Sequence, residues 1–226
     1  MSLWSLFLTN DGNEMCKWKH YFPAYEEHFA RFVNRPVFVL EIGVNNGGSL
    51  QMWKQYFGPH AQIVGIDINP ECANLSEDQI EIRIGDQSDP VFLQGILDEF
   101  GTPDIVIDDG SHNMNHVGPT FRYLYPRTSE TGVYFVEDTH TSYWDDYGGG
   151  LGHEKSFIEL AKNLIDELNA EWTRGAVVPT DFTKSTMSMH FYDSCVVFER
   201  GRVLPRTAPW TGKNQTKQKN WFGKSK

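Results

Sequence analysis

The chain has 226 residues, enough to bury one sizeable core and short for two full domains. Its formal charge is −10, but every side chain charged at neutral pH beyond Arg202 is basic (Arg206, Lys213, Lys217, Lys219, Lys224 and Lys226), so the first 204 residues carry 14 basic against 30 acidic groups. Such a body repels phosphates and speaks against nucleic-acid binding, and three scattered cysteines, Cys16, Cys72 and Cys195, speak against a disulfide framework or a structural zinc site and place the chain in a reducing cytoplasm.

The opening run Leu3 to Leu8 is apolar, yet too short to span a membrane and without the basic start and cleavage signal of a secretory leader; no membrane association is expected. From Tyr21 to Asn34, Phe22, Tyr25, Phe29 and Phe32 recur at helical spacing. A strand is predicted at Val37 to Ile42, a helix over Ser49 to Phe57 closed by Gly58-Pro59, and buried strands at Gln62 to Ile66 and Ile80 to Ile84. Pro90 opens a helix running to Gly101. A fourth strand at Ile105 to Ile107, a helix over Val117 to Tyr125 and a fifth strand at Val133 to Val136 follow. A long helix from Glu154 to Trp172 then leads to a hairpin over Met187 to Glu199 that turns near Asp193-Ser194. Alternating strands and helices followed by a hairpin predict an α/β fold: a doubly wound, Rossmann-like seven-stranded sheet with helices on both faces and a C-terminal antiparallel hairpin. The expected organisation is an N-terminal helical segment over 1–35, a core domain over 36–203 and a basic, solvated tail over 204–226, whose Trp210, Trp221 and Phe222 are available to dock in a homo-oligomer.

Ligands of open α/β sheets bind at the carboxyl ends of the strands, and here those ends are acidic. The first strand runs into Glu41-Ile-Gly43-Val-Asn45-Asn-Gly47-Gly-Ser49, a glycine-bearing turn into a helix. Its G-x-x-x-G spacing is neither a dinucleotide fingerprint nor a P-loop, and Glu41 would repel a pyrophosphate while suiting an amino or sulfonium cation. Asp67 closes the second strand, where a carboxylate can accept both hydroxyls of a ribose, and Asp86-Gln87 closes the third. Taken one at a time, each Asp reads equally well as a turn or helix-cap residue; the series on successive strands does not.

Two strand ends are denser still: Asp104-Ile-Val-Ile-Asp108-Asp109-Gly-Ser-His112 and Val133-Tyr-Phe-Val-Glu137-Asp138-Thr-His140. The series Glu41-x-Gly43-x-x-x-Gly47, Asp67, Asp86 and Asp108 resembles the class I S-adenosylmethionine-dependent methyltransferases. The two acidic strand ends, with His190-Phe-Tyr-Asp193-Ser194, are similar to the metal-dependent sugar O-methyltransferases of macrolide pathways and the related cephalosporin hydroxylase-like proteins. The resemblance spans roughly Lys17 to Arg200 and implies S-adenosylmethionine as methyl donor, S-adenosylhomocysteine as product and Mg²⁺ as metal. It places Glu41, Gly43, Asn45, Gly47, Ser49, Asp67, Asp86, Gln87 and Asp108 around the donor, Asp109, Glu137 and Asp138 on the metal, and His112 as general base for a hydroxyl of a sugar or glycosylated small molecule. Hard carboxylate oxygens without cysteine independently favour Mg²⁺, with Mn²⁺ or Ca²⁺ as alternatives. His140, Tyr143 and Trp144 are expected on the substrate side, as are His20 and Tyr21; for all five, packing or simple hydrogen bonding is the plain alternative. Two other functions stay open: a non-haem iron hydroxylase, and a non-catalytic protein that binds the donor alone.

Overall fold

The computed structural model describes residues 2–213; the remainder of the basic tail, with Trp221 and Phe222, lies outside the described residues. The elements, in chain order, are α1 (Leu3–Leu8), α2 (Phe22–Phe29), β1 (Val37–Ile42), α3 (Gly48–Phe57), β2 (Ala61–Asp67), β3 (Ile80–Ile84), α4 (Pro90–Phe100), β4 (Ile105–Asp108), α5 (Met114–Leu124), β5 (Val133–Val136), α6 (Phe157–Leu168), α7 (Asp181–Ser185), β6 (Thr186–Tyr192) and β7 (Cys195–Arg200), with short 3-10 turns between them. One seven-stranded sheet has the order β3-β2-β1-β4-β5-β7-β6. Strands β1 to β5 run parallel, and β7 pairs antiparallel with both β5 and β6. The strand order reverses between β1 and β4, so a crevice opens there at the carboxyl ends.

The parallel strands are buried on both faces, and side chains alternate between two cores with the period of two that a pleated strand imposes. Val39, Ile63, Ile105, Ile107, Val133 and Phe135 face α1, α2 and α3, packing on Tyr25, Phe29 and Trp53. Leu40, Ile42, Val64, Val106, Tyr134 and Val136 face α4, α5 and α6. The N-terminal segment thus supplies one wall of the sheet's own core: Leu3, Tyr21 and Tyr25 are buried in it.

Four helical readings shift, each for a local reason. The apolar opening forms α1, capped by the Ser2 hydroxyl and tied to α2 through Leu3 N–H to Glu26 (2.7 Å). The helix expected over Tyr21 to Asn34 is α only over Phe22–Phe29, because Pro23 sets its start and 3-10 turns flank it. Helix α5 begins earlier than Val117, at Met114, where the Asn113 side chain caps Asn115 N–H (2.9 Å). Helix α6 is shorter than the predicted Glu154 to Trp172: the Ser156 hydroxyl accepts from Glu159 N–H (3.3 Å) and fixes the start at Phe157. The five-residue α7 carries too short a pattern to be seen in the sequence.

Candidate active site

Strand parity assembles the site. Ile42, Asp108 and Val136 are paired across β1, β4 and β5, so the next residues, Asp109 and Glu137, leave adjacent strands side by side. Glu41, Asp109 and Glu137 share the parity that faces the N-terminal segment; Asp108 has the other and is buried beside Tyr134. Two residues at these strand ends, His112 (φ 53°) and Asp138 (φ 51°), adopt left-handed backbone without being glycine, a conformation that tends to occur at functional sites.

The outer group of the cluster is Asp109, His112 and Asp138. His112 Nε2 lies 3.8 Å from Asp109 Oδ1 and 3.6 Å from Asp138 Oδ2, and one donor atom from each of the three residues falls within 4.8 Å of the others. Two hard carboxylates this close suit a divalent cation, with the His112 imidazole beside it rather than on it. Glu137 sits deeper and lies outside that trio. Both of its carboxylate oxygens are 3.1 Å from Lys17 Nζ, which also donates to Asp109 Oδ2 (2.6 Å) and Glu41 Oε1 (3.4 Å). Asp138 is oriented from behind, where the buried Tyr21 hydroxyl donates to its Oδ1 (2.5 Å).

Electrostatics follow from burial and crowding. Burial and the charge of Asp109 push the Glu137 carboxyl well above its ordinary range, against the pull of Lys17. Burial likewise raises Glu41, with Lys17 opposing. Asp108 is pushed up to about 7 by burial, although Gln87 and Tyr134 donate to it. The Lys17 ammonium is desolvated, yet Asp109, Glu137 and Glu41 together hold it well above the ordinary lysine value, so it is a cation and not a proton acceptor.

The cluster opens into a cavity of about 370 Å³ lined by Gly43, Asn45, Ser49, Asp67, Asp109, His112, Glu137 and Asp138 together with the strap Glu14 to Trp18. A second cavity of about 270 Å³ adjoins it across Gly43, Asp67 and Gly110 and continues past Ile66, Ile68, Asp86, Gln87 and His116. Gly43 (φ 93°) sits where a Cβ would collide with the Asp109 carbonyl oxygen, so the turn after β1 lies directly on the turn after β4. Gly47 (φ 80°) supplies the left-handed turn into α3. Asp67 accepts from Val44 and Asn45 N–H (2.8 and 3.2 Å) and from Asn69 N–H (2.9 Å), holding the glycine turn while still lining the cavity. Asp86 closes a local turn by accepting from Ser88, Ser49 donates to Glu41 (2.9 Å), and Gln87 braces the Asp108 strand end by accepting from Ser111 N–H (2.8 Å) and donating to Asp108 (3.1 Å).

Of the remaining expected residues, His140, Trp144 and His20 gather around Trp18, which lines the cavity, whereas Tyr143 does not line it. His140 Nδ1 lies 2.5 Å from Ser194 Oγ, and its ring packs on Trp144 (4.6 Å) and faces Trp18 (6.1 Å); His20 lies against Trp18 and Tyr21. Trp18, Tyr143 and Trp144 are about half exposed, whereas Tyr21 is buried and touches Asp138 in place of open space. Lys17 and Trp18 went unread in the sequence because the segment from Thr9 to Trp18 has no periodicity and no motif; a lone lysine there carries no local signal.

No protein-family profile matches the chain. It is 39% identical over 205 residues to 8-demethyl-8-(2-methoxy-alpha-L-rhamnosyl)-tetracenomycin-C 3'-O-methyltransferase of Streptomyces olivaceus, a match covering 85% of this chain and 52% of that protein. It is 38% identical to mycinamicin VI 2''-O-methyltransferase of Micromonospora griseorubida, over 81% of this chain and 49% of that one. The MycE methyltransferase of the mycinamycin biosynthetic pathway, solved with Mg, SAH and mycinamycin VI, superposes with a TM-score of 0.77 at 35% identity, covering 88% of this chain and 53% of its own. The chain belongs with the class I methyltransferases of this branch. It spans about half the length of the family members it matches. In this chain the carboxylate and imidazole cluster and the glycine turn lie together at the sheet's switch point.

Proposed function

We propose that the protein is a Mg²⁺-dependent O-methyltransferase that moves a methyl group from S-adenosylmethionine to a sugar hydroxyl of a glycosylated small molecule. One observation carries this reading: the Asp109–His112–Asp138 group and the glycine turn with Asp67 line the same cavity, so a metal-held hydroxyl and a donor methyl can meet. The methyltransferase relatives, which act on a rhamnosyl-tetracenomycin and on mycinamicin VI, supply the substrate class. When bound, the donor supplies an electrophilic methyl on sulfur and the cation weakens a hydroxyl's hold on its proton.

The chain's own residues do the rest. Gly43 and Gly47 admit the donor to the backbone, with Asn45, Ser49, Asp67, Asp86 and Gln87 lining its two cavities, while the buried Glu41 and Asp108 line neither and act from behind by bracing Ser49 and Gln87. Asp109 and Asp138 hold the cation, with Glu137 as the deeper third carboxylate. His112 accepts the hydroxyl proton as the new O–C bond forms and the S–C bond breaks, releasing the neutral thioether S-adenosylhomocysteine. His140, Trp144 and His20 form the acceptor rim, and Tyr21 positions Asp138.

The test is methyl transfer from labelled donor to a panel of glycosides, with Mg²⁺ and with EDTA. Transfer that needs Mg²⁺, and that falls by about 10²–10⁴-fold in His112→Ala with donor affinity retained, is the expected result. Donor binding without Mg²⁺-dependent transfer to any glycoside would leave a binding protein, and wild-type turnover in His112→Ala would remove the base.

A further inference from the structure

We infer that Lys17 is a built-in counter-cation of the acidic crevice and competes with the divalent metal for Asp109 and Glu137. The inference rests on the metal reading above and extends it to a residue outside the family motifs. Lys17 arrives on the strap between α1 and the 3-10 turn before α2, and its side chain is only 2% exposed. Its ammonium reaches four carboxylate oxygens on three residues: Asp109 at 2.6 Å, both oxygens of Glu137 at 3.1 Å and Glu41 at 3.4 Å. Asp109 is the shared element, with Oδ2 on Lys17 and Oδ1 facing His112 (3.8 Å) in the outer trio.

Elementary electrostatics set the consequence. An ammonium and a divalent ion held by the same carboxylate repel each other strongly at this burial, where solvent screens little. With both Glu137 oxygens engaged by Lys17, a divalent ion drawing on the same carboxylate meets the ammonium at close range and is repelled by it. Lys17 therefore keeps Glu41, Asp109 and Glu137 together when no divalent ion is bound, and must release Glu137, and loosen on Asp109, for the ion to gain three carboxylates. Lys17 is a positioning residue: it sets how readily the metal enters, and does not touch the reacting atoms.

The competition is read by metal binding in place of turnover. Mn²⁺ affinity is measured from the free-ion paramagnetic resonance signal for wild type, Lys17→Gln and Lys17→Arg, alongside thermal unfolding in EDTA and in Mn²⁺. Lys17→Arg, which keeps the charge, is expected to bind Mn²⁺ within about threefold of wild type, and Lys17→Gln about tenfold tighter or more. Lys17→Gln is also expected to melt earlier than wild type in EDTA and to gain more from Mn²⁺. If it is unfolded in EDTA, recovery of its far-UV circular dichroism on adding Mn²⁺ supports the competition, and failure to recover overturns it. Equal or weaker Mn²⁺ affinity in Lys17→Gln overturns the competition and leaves the metal reading standing; Mn²⁺ binding by neither protein overturns both.

Discussion

Tyr21 shows how much of a site is built by residues that never meet the reactants. Its hydroxyl, buried and pushed far above the ordinary phenol value by burial and by its bond to Asp138, stays protonated and donates to Oδ1, which leaves Oδ2 turned towards His112 (3.6 Å). Removing a hydrogen-bonding partner of a metal ligand costs roughly 10–100-fold in metal affinity. Tyr21→Phe is therefore expected to weaken Mn²⁺ binding by about tenfold while leaving donor binding unchanged, checked by calorimetry with each ligand separately. The residues of the site divide in legibility along the same line. Asp108, Asp109, Glu137 and Asp138 were visible in the sequence because a strand ending in acid is a local pattern. Lys17 was not, because its meaning comes from three strand ends that converge only after folding, and Tyr21 was visible as a helix-start aromatic but not as the partner of Asp138.

At the scale of elements, α2 is locked to the hairpin by charge as well as by packing. Glu199 on β7 accepts from His28 Nδ1 (2.6 Å) and from Arg31 (2.6 and 3.0 Å), and His28 Nε2 lies 3.0 Å from the Tyr192 hydroxyl on β6. Burial pushes the Glu199 carboxyl up, but these bonds outweigh it and hold it below the usual carboxylate range. A depressed folded-state pKa means stability that is present above the unfolded value and lost as pH falls through the folded one. Glu199→Gln is expected to unfold about 2 kcal/mol more easily at pH 7, less than for a fully buried pair because Arg31 is part exposed, with the gap to wild type narrowing below about pH 4. Denaturant titrations at both pH values check this, and a gap that does not depend on pH would refute it. The strands themselves were legible from their apolar runs and flanking acids. The ends of α5 and α6 were not, because Asn113 and Ser156 decide them through capping bonds that outweigh helix propensity in the flanking residues.

Across the whole molecule, two adjoining cavities of about 370 and 270 Å³ run along the strand ends from the Asp109, His112 and Asp138 cluster to the end of β3. Their continuity predicts a donor bound along the whole sheet edge. S-adenosylhomocysteine at about a hundred times its Kd is expected to raise the melting temperature by roughly 5–10 °C, as about 2.7 kcal/mol of binding free energy does for a domain of this size. Asp67→Ala is expected to lose most of that shift, measured by scanning calorimetry. Among the described residues no helix is long and apolar enough to cross a membrane, and all three cysteines are free. The doubly wound order was readable from the alternation of elements and the right-handed crossover rule. The roofing of the crevice by the N-terminal strap was not, since nothing in the first twenty residues announces where they lie.

That strap has a kinetic consequence. The Asn13 backbone is pinned to α3 through Gln51 (2.8 Å), and the Asn13 and Glu14 carbonyls lie so close over Gly48 that no side chain fits between them. Glu14 to Trp18 therefore form one wall of the cavity proposed for the donor, and a ligand seated beneath them is expected to leave no faster than the strap lifts. Leu3→Ala, which loosens the buried anchor at the strap's other end far from every reacting atom, is expected to speed donor release, and an unchanged dissociation rate by stopped flow would refute it.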